Sequence, residues 1–337
     1  MSRPQIPHAG YQAASDLNAE ILTMKPIVPF VHSLSEGVAL AWADALQGAA
    51  PDIDIRFVTD ISQAELSKVE VAIVANPDPA ALTSFPNLKW VQSLWAGVER
   101  ILREMPGDEV QIVRLVDPQL GDTMAEAVLA WTLYLHRSMP TYAAQQAERI
   151  WLQHELRTAS ERTIGILGLG NLGLKSAERL TQNGFNVLGW SRSAKDLPGV
   201  TTFSGADGLA EIAAQSDIIV VLLPSTPDTR GLLDARFISN MKRGGSLINF
   251  ARGDIIERDD LVHGLETRQI EHAVLDVFAV EPLPETDPLW GNPHITILPH
   301  ISAPTNKSTA SEVVATNING YFTTGKMPTT VSRKAGY

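Results

Sequence analysis

The chain has 337 residues, 44% of them apolar and 19% charged, with a net charge of −11 and no cysteine. That length is long for one hydrophobic core and points to two domains. The missing cysteine excludes disulfides, thiolate catalysis and cysteine-ligated metal centres, and the acidic balance without a basic run disfavours a nucleic-acid partner.

Residues 1–26 carry no apolar h-region of a secretory signal and read as a loosely held extension. No stretch approaches the roughly 20 apolar residues that span a bilayer. The expectation is a cytoplasmic protein with no membrane partner and no metal. From Ile27, β-branched runs alternate with an amphipathic pattern: "IVPFVHSL", helical "GVALAWADALQGA", then "DIRFVT", "VEVAIVAN", "LKWVQSLW" and "VQIVRLV". This alternation indicates βα units and a parallel sheet.

The stretch "MAEAVLAWTLYLHR", Met124 to Arg137, is apolar on nearly all faces and predicts a helix buried within the chain or against another subunit. Pro140 interrupts it, and "TYAAQQAERIWL" starts a second helix. The pair, residues 122–156, reads as a domain connector and, more sharply, as the interface of a homodimer.

A second α/β series begins at Arg162, with strand-like runs "TIGILG", "NVLGW", "DIIVVLL", "SLINFA", "HAVLDVF" and "HITILP". Six strands with intervening helices predict a doubly wound sheet of order 3-2-1-4-5-6. After Ile301 the chain is short and ends in a helical pattern, "SEVVATNINGYF". It is too small for a third domain, so it is expected to return to the first, making that domain discontinuous.

Residues 168–173, "GLGNLG", place Gly168, Gly170 and Gly173 in a G-x-G-x-x-G pattern between a strand and a helix, with Leu169, Asn171 and Leu172 between them. That context makes a common triplet a dinucleotide fingerprint. Gly168 permits a tight turn, Gly170 lets backbone approach a pyrophosphate, and Gly173 allows close helix–sheet packing. The strand that follows ends "NVLGWSRSAK". Ser191 stands where NAD sites carry an acid, with Arg192 and Ser193 next and Lys195 close by. A carboxylate there would repel a 2′-phosphate, whereas serine and arginine bind it, so NADPH (NADP+) is expected over NADH.

Ligands of a doubly wound sheet bind beyond the carboxyl ends of its strands. Arg252 follows "SLINFA", Glu281 follows "HAVLDVF", and His300 follows "HITILP". Singly, Arg252 also reads as a turn residue paired with Asp254, Glu281 as a solvated loop charge and His300 as a polar strand end. Jointly, on neighbouring strands, they suit reduction of a 2-oxo acid: arginine to anchor, histidine to give a proton, glutamate to orient the imidazole and favour its charged form.

"GLGNLG", "NFARGD", "LDVFAVEPLPETDPLW" and "LPHISAPT", in this order, resemble the D-isomer-specific 2-hydroxyacid dehydrogenases, over nearly the whole chain from Ile27. The resemblance implies two doubly wound parallel-sheet α/β domains, with a Rossmann cofactor domain (residues 118–300) inserted into a flavodoxin-like substrate domain (residues 27–117 plus 301–337). It implies Arg252, Glu281 and His300 as catalytic residues. The cofactor contacts it implies are Leu223 and Pro224 along the dinucleotide, Phe250 and Ala251 before the arginine, and Asp276 and Ser302 near the nicotinamide. It also implies that "SLWAGVE" holds the substrate carboxylate through Trp95, Ala96 and Gly97. The implied substrates are glyoxylate and hydroxypyruvate, reduced to glycolate and D-glycerate. Glu99 departs from the Asp of many members, and Trp95 is bulky for a loop that touches substrate; it narrows the pocket or merely packs. Two other readings share the scaffold: NAD-dependent oxidation of formate or phosphite, and a non-catalytic nucleotide-sensing corepressor.

Overall fold

The structure, a computed structural model, describes residues 25–105 and 107–336. The extension expected at the N-terminus lies, up to residue 24, outside the described residues. Among the described residues two compact units form: one from residue 25 to Leu115 together with Lys307–Val331, and one of Val116–Asn306 together with residues 332–336. The division expected after residues 117 and 300 falls after Leu115 and Asn306 instead, because the returning helix starts only at Lys307. The tail from Ser332 also groups with the second unit rather than the first.

In the first unit, β1 (Ile27–His32), β2 (Asp54–Phe57), β3 (Val71–Ala75), β4 (Trp90–Ser93) and β5 (Gln111–Val113) form a parallel sheet of order β2-β1-β3-β4-β5. That is the flavodoxin-like order. β3 and β4 are buried at every position, as a parallel sheet covered on both faces requires. Helices α1 (Glu36–Ala49), α2 (Pro79–Leu82) and α3 (Glu99–Glu104) connect the strands. The closing helix Lys307–Thr324 seats Ala310, Val314 and Ile318 in one core with Ala39, Trp42 and Leu46 of α1. Tyr321 donates from its hydroxyl to Glu70 Oε2 (2.7 Å) and Asn317 from its amide to Gln92 Oε1 (2.8 Å), which fixes that helix to the sheet.

The second unit opens with α4 (Pro118–His136) and α5 (Met139–Glu148). The pair expected over residues 122–156 is therefore shorter at its end and earlier at its start. Asp117 caps α4, its side chain accepting from the Gln119 N–H, and Pro118 takes the first helical position, where no N–H is needed. The expected break between the two helices falls at Arg137–Ser138, and Pro140 lies in the first turn of α5 rather than before it, where its missing N–H costs nothing. α4 is not buried all round in the single chain. Leu120, Met124, Ala125, Val128 and Leu135 are buried, while Leu133 on α4 and Met139, Tyr142, Trp151 and Leu156 beyond it are exposed, Trp151 at 96%.

Next come β6 (Thr163–Leu167), α6 (Asn171–Gln182), β7 (Asn186–Trp190), β8 (Val200–Phe203), α7 (Gly205–Gln215), β9 (Ile218–Val221), α8 (Ala235–Asn240), β10 (Gly245–Asn249), α9 (Arg258–Glu266), β11 (Ile270–Leu275) and β12 (Ile295–Ile297). Among the described residues the sheet has seven strands, all parallel, in the order β12-β11-β10-β9-β6-β7-β8. The expected count of six omitted β8. With β8 in place the run "DIIVVLL" becomes the fourth strand, beside β6, rather than the outer third. The strands that precede Arg252, Glu281 and His300 are neighbours, as expected: β10, β11 and β12.

Candidate active site

The glycine turn has three distinct local causes. Gly168 has φ +107°, and a Cβ there would meet Leu222 O at 2.6 Å, so only glycine turns the chain out of β6. A Cβ on Gly173 would lie 1.8 Å from Gly168 O, so the first turn of α6 is drawn onto the loop. Around Gly170 nothing lies within 4 Å, which leaves the backbone bare at the N-terminus of a 12-residue helix. Leu169, by contrast, turns inward, buried against the bare Cα of Gly189 on β7. Asn171 and Leu172 form the first turn of α6. Such a helix end presents N–H groups and a positive dipole to an anion.

The turn after β7 sits against this loop. Ser191 is buried and donates from Oγ to Ser193 O (2.8 Å), while Arg192 and Ser193 are exposed. Lys195 reaches across and donates from Nζ to Leu169 O. A basic turn is thus tied to the glycine loop by a charge-assisted hydrogen bond. After β9, Leu223 is buried and Pro224 half-buried; the Pro224 carbonyl accepts from Thr229 Oγ1 at 2.6 Å.

Phe250 and Ala251 are buried after β10, and Arg252 follows, half-buried. Asn249, itself buried, braces this turn from both sides: its Nδ2 donates to Arg252 O (2.9 Å) and its Oδ1 accepts from Ala251 N (3.1 Å). Gly253 admits the next loop, since a Cβ there would sit 2.1 Å from the Phe278 carbonyl carbon. Asp254 is engaged by Ser225 Oγ (2.7 Å) and Arg230 Nε (3.3 Å).

β11 delivers Asp276, 2% exposed. Its carbonyl accepts from His300 N (3.0 Å), and its two carboxylate oxygens accept from Ile301 N (2.7 Å) and Ser302 N (2.9 Å). Three consecutive backbone N–H groups are therefore held by one residue. This over-determination supports His300 at φ +54°, a conformation that costs a non-glycine residue roughly 1–3 kcal/mol. Glu281 accepts from Phe278 N with Oε1 (2.9 Å) and meets His300 Nδ1 with Oε2 at 2.7 Å. The imidazole remains 56% exposed, so this is no interior histidine.

The electrostatics follow the geometry. The hydrogen bond to Glu281 raises the His300 pKa above its ordinary value against the opposing cost of burial, and the charges of Glu281 and Asp276 add to the rise. Burial pushes the Glu281 carboxyl up, but His300, the Phe278 N–H and the Arg252 charge together hold it below its ordinary value. Arg252 is close enough to influence both partners. The site thus pairs a carboxylate with a readily protonated, accessible imidazole beside a guanidinium. Ser302 Oγ, in the same loop, is buried with no hydrogen-bond partner among the described residues. That orphaned hydroxyl, the bare Gly170 backbone and the α6 N-terminus fit a dinucleotide laid along this rim.

Trp95, Ala96 and Gly97 lie on the first unit, just past β4. The Trp95 ring packs edge-on against Trp42 at 5.8 Å, which fits the packing reading of this residue. Asn249 and Gly253 escaped the sequence reading. The asparagine is ordinary until its burial is known, and "RGD" gives no hint that a second loop crosses the glycine. No group of three or more His, Cys, Asp or Glu that could hold a metal ion is found among the described residues.

Comparison with known proteins adds the following. Residues 129–302 match the family model described as D-isomer specific 2-hydroxyacid dehydrogenase, NAD binding domain. The chain is 37% identical over 295 residues to glyoxylate/hydroxypyruvate reductase A of Yersinia enterocolitica, covering 86% of this chain and 93% of that one. The same-named protein of Photorhabdus laumondii is 36% identical over 309 residues. Among solved structures, a D-isomer specific 2-hydroxyacid dehydrogenase from Xanthobacter autotrophicus, in complex with NADPH and MES, superimposes with a TM-score of 0.87 at 36% identity, covering 93% of this chain and 100% of that one. An NADPH-dependent glyoxylate/hydroxypyruvate reductase from Sinorhizobium meliloti, in complex with NADP and sulfate, gives 0.82 at 30% identity, with coverage of 93% and 100%.

Proposed function

The chain belongs to the D-isomer-specific 2-hydroxyacid dehydrogenase family, and on that premise we propose that it reduces small 2-oxo acids with NADPH, glyoxylate to glycolate and hydroxypyruvate to D-glycerate. The observation that carries the reading is the 2.7 Å His300–Glu281 pair next to Arg252, on the sheet edge that bears the glycine turn. Bound NADPH supplies the hydride. Gly168–Gly173 and the α6 N-terminus hold its pyrophosphate, and Ser191, Arg192 and Ser193 its 2′-phosphate. Leu223, Pro224, Phe250 and Ala251 flank it, and Asp276 and Ser302 serve the nicotinamide carboxamide.

The protein groups then divide the work. Glu281 holds His300 through Nδ1, so the proton leaves from Nε2 toward the substrate carbonyl oxygen. Arg252 anchors the substrate carboxylate and steadies negative charge on that oxygen. The backbone of Trp95, Ala96 and Gly97 contributes to substrate binding, while the Trp95 ring packs on Trp42. The NADPH preference is supported by the basic turn, which lacks the usual acid, and by relatives solved with NADPH and NADP. The exposed apolar side chains from Leu133 to Leu156 support a homodimer through the helical pair, and we place the protein in the cytoplasm. No helix among the described residues is long and apolar enough to cross a membrane.

The test follows NADPH loss with glyoxylate, hydroxypyruvate, pyruvate and longer 2-oxo acids. Turnover is expected to be best with glyoxylate and hydroxypyruvate. Activity confined to NAD+-dependent oxidation of formate or phosphite overturns the reading, and so does tight NADPH binding with no turnover, the behaviour of a corepressor.

A further inference from the structure

The opposite edge of the seven-stranded sheet carries a cavity of about 610 Å³. It lies at the amino ends of β6, β9 and β10, one strand length from the glycine turn, or roughly 20 Å for the six residues from Arg162 to Gly168 at ~3.3 Å per residue. Four cations line it, Arg157, Arg162, Lys242 and Arg243, against one carboxylate, Asp217. In a chain with net charge −11 such an excess of positive charge is a local construction.

Asp217 is already committed. Its Oδ2 accepts from Thr163 N (2.8 Å) and its Oδ1 from Lys242 Nζ (3.2 Å). Arg162 is half-buried, and its Nε is enclosed without a hydrogen-bond partner among the described residues. Burial and then the Arg157 charge pull the Arg162 guanidinium below its ordinary pKa, against Asp217. His136 on α4 feels the same field: burial first, then Arg162 and Arg137, hold its imidazole below the ordinary value. The floor is Gly244 and Gly245, whose N–H groups are spent on Gln269 O (3.0 Å) and Lys242 O (2.9 Å). Recognition in this cavity therefore falls to side-chain cations. Water can satisfy an idle N–H, but three net positive charges gathered beside a half-buried guanidinium favour an anion, even with Arg157 and Arg243 on exposed side chains.

We propose that this cavity is a second ligand site, separate from the dinucleotide site, that binds inorganic phosphate or a phosphate monoester. A doubly charged oxyanion offers acceptors in the geometry a guanidinium fork prefers and offsets most of the excess charge. The volume accommodates a phosphate with a small organic group attached.

The test is calorimetric titration of inorganic phosphate into the full chain, saturated with NADP+, at constant ionic strength. Wild type is expected to show one saturable site, and Arg192→Ala to retain it. Arg162→Gln is expected to weaken it about ten- to a hundredfold, the value of one charge-assisted hydrogen bond. Should Arg162→Gln fail to fold, Arg157→Gln, at an exposed side chain, carries the same expectation with a smaller loss. Absence of saturable binding at millimolar phosphate overturns the proposal. So does binding that survives the cavity substitutions or disappears in Arg192→Ala, which would place the ion at the dinucleotide site. These outcomes are independent of whether 2-oxo acids are turned over.

Discussion

The two edges of the seven-stranded sheet treat charge in opposite ways. At the carboxyl edge the His300 imidazole has a carboxylate at 2.7 Å, Arg252 lies near both, and Asp276 spends its oxygens on backbone N–H groups. Backbone specialisation accompanies this: Gly168, Gly173 and Gly253 tolerate no Cβ, and one histidine is held left-handed. At the amino edge four cations face a single, already engaged carboxylate, and the backbone N–H groups are used internally. A paired charge beside a strained backbone suits chemistry in which one proton must be poised. The surplus of like charge at the amino edge suits an ion that brings its own compensation.

The sharpest way to break this contrast is His300→Ala. Turnover of glyoxylate should fall about 10²–10⁴-fold, the usual worth of general acid catalysis, with the NADPH Kd unchanged; undiminished kcat would remove the carboxyl edge from the chemistry. Arg192→Ala should weaken NADPH about ten- to a hundredfold and leave NADH untouched, read as the ratio of the two kcat/KM values. Gly253→Ala should lower both stability, by ~1–3 kcal/mol in urea, and kcat, because its neighbours are backbone atoms that cannot step aside. An unaltered urea midpoint would mean the two loops are loosely held. Glu281→Gln sharpens the contrast through pH. Since Glu281 raises the His300 pKa, reduction should be fastest below that raised value and decline as pH climbs through it. Without the carboxylate charge the decline should move to lower pH; a superimposable profile would uncouple the pair. Smallest of all, Arg157→Gln at the amino edge should leave kcat for glyoxylate unchanged.

Much of this was legible in the chain itself. The parallel sheets follow from periodicity, the adjacency of Arg252, Glu281 and His300 from the doubly wound strand order, and the flavodoxin-like first unit from the family resemblance. β8 was hidden because "VTTF" is a short edge strand with no residue fully buried, so its pattern resembles a turn. The start of α4 was signalled by Asp117–Pro118, a cap followed by a first-turn proline, but the apolar run further on masks it. The bracing by the Asp276 carboxylate depends on contacts between segments far apart in sequence, which no local pattern records, while that by Asn249 reaches only two and three residues along the chain but shows itself only once the turn is folded and the side chain buried. The amino-edge cavity is likewise assembled from distant segments: Arg157 and Arg162, Asp217, and residues 242–245.

The first unit is stitched from both flanks of the second, and this has a temporal meaning on the ribosome. The apolar side of α1, with Ala39, Trp42 and Leu46, is made early, yet its cover, the closing helix, emerges only after Val116–Asn306 has been translated. At about 5–20 residues per second that interval is on the order of ten to forty seconds. The inserted half can complete its own sheet during the wait, while the older half keeps an uncovered greasy flank throughout. Slowing or stalling synthesis within the insert therefore prolongs exposure of the segment made first, making newborn chains, rather than finished ones, the population most in need of chaperones.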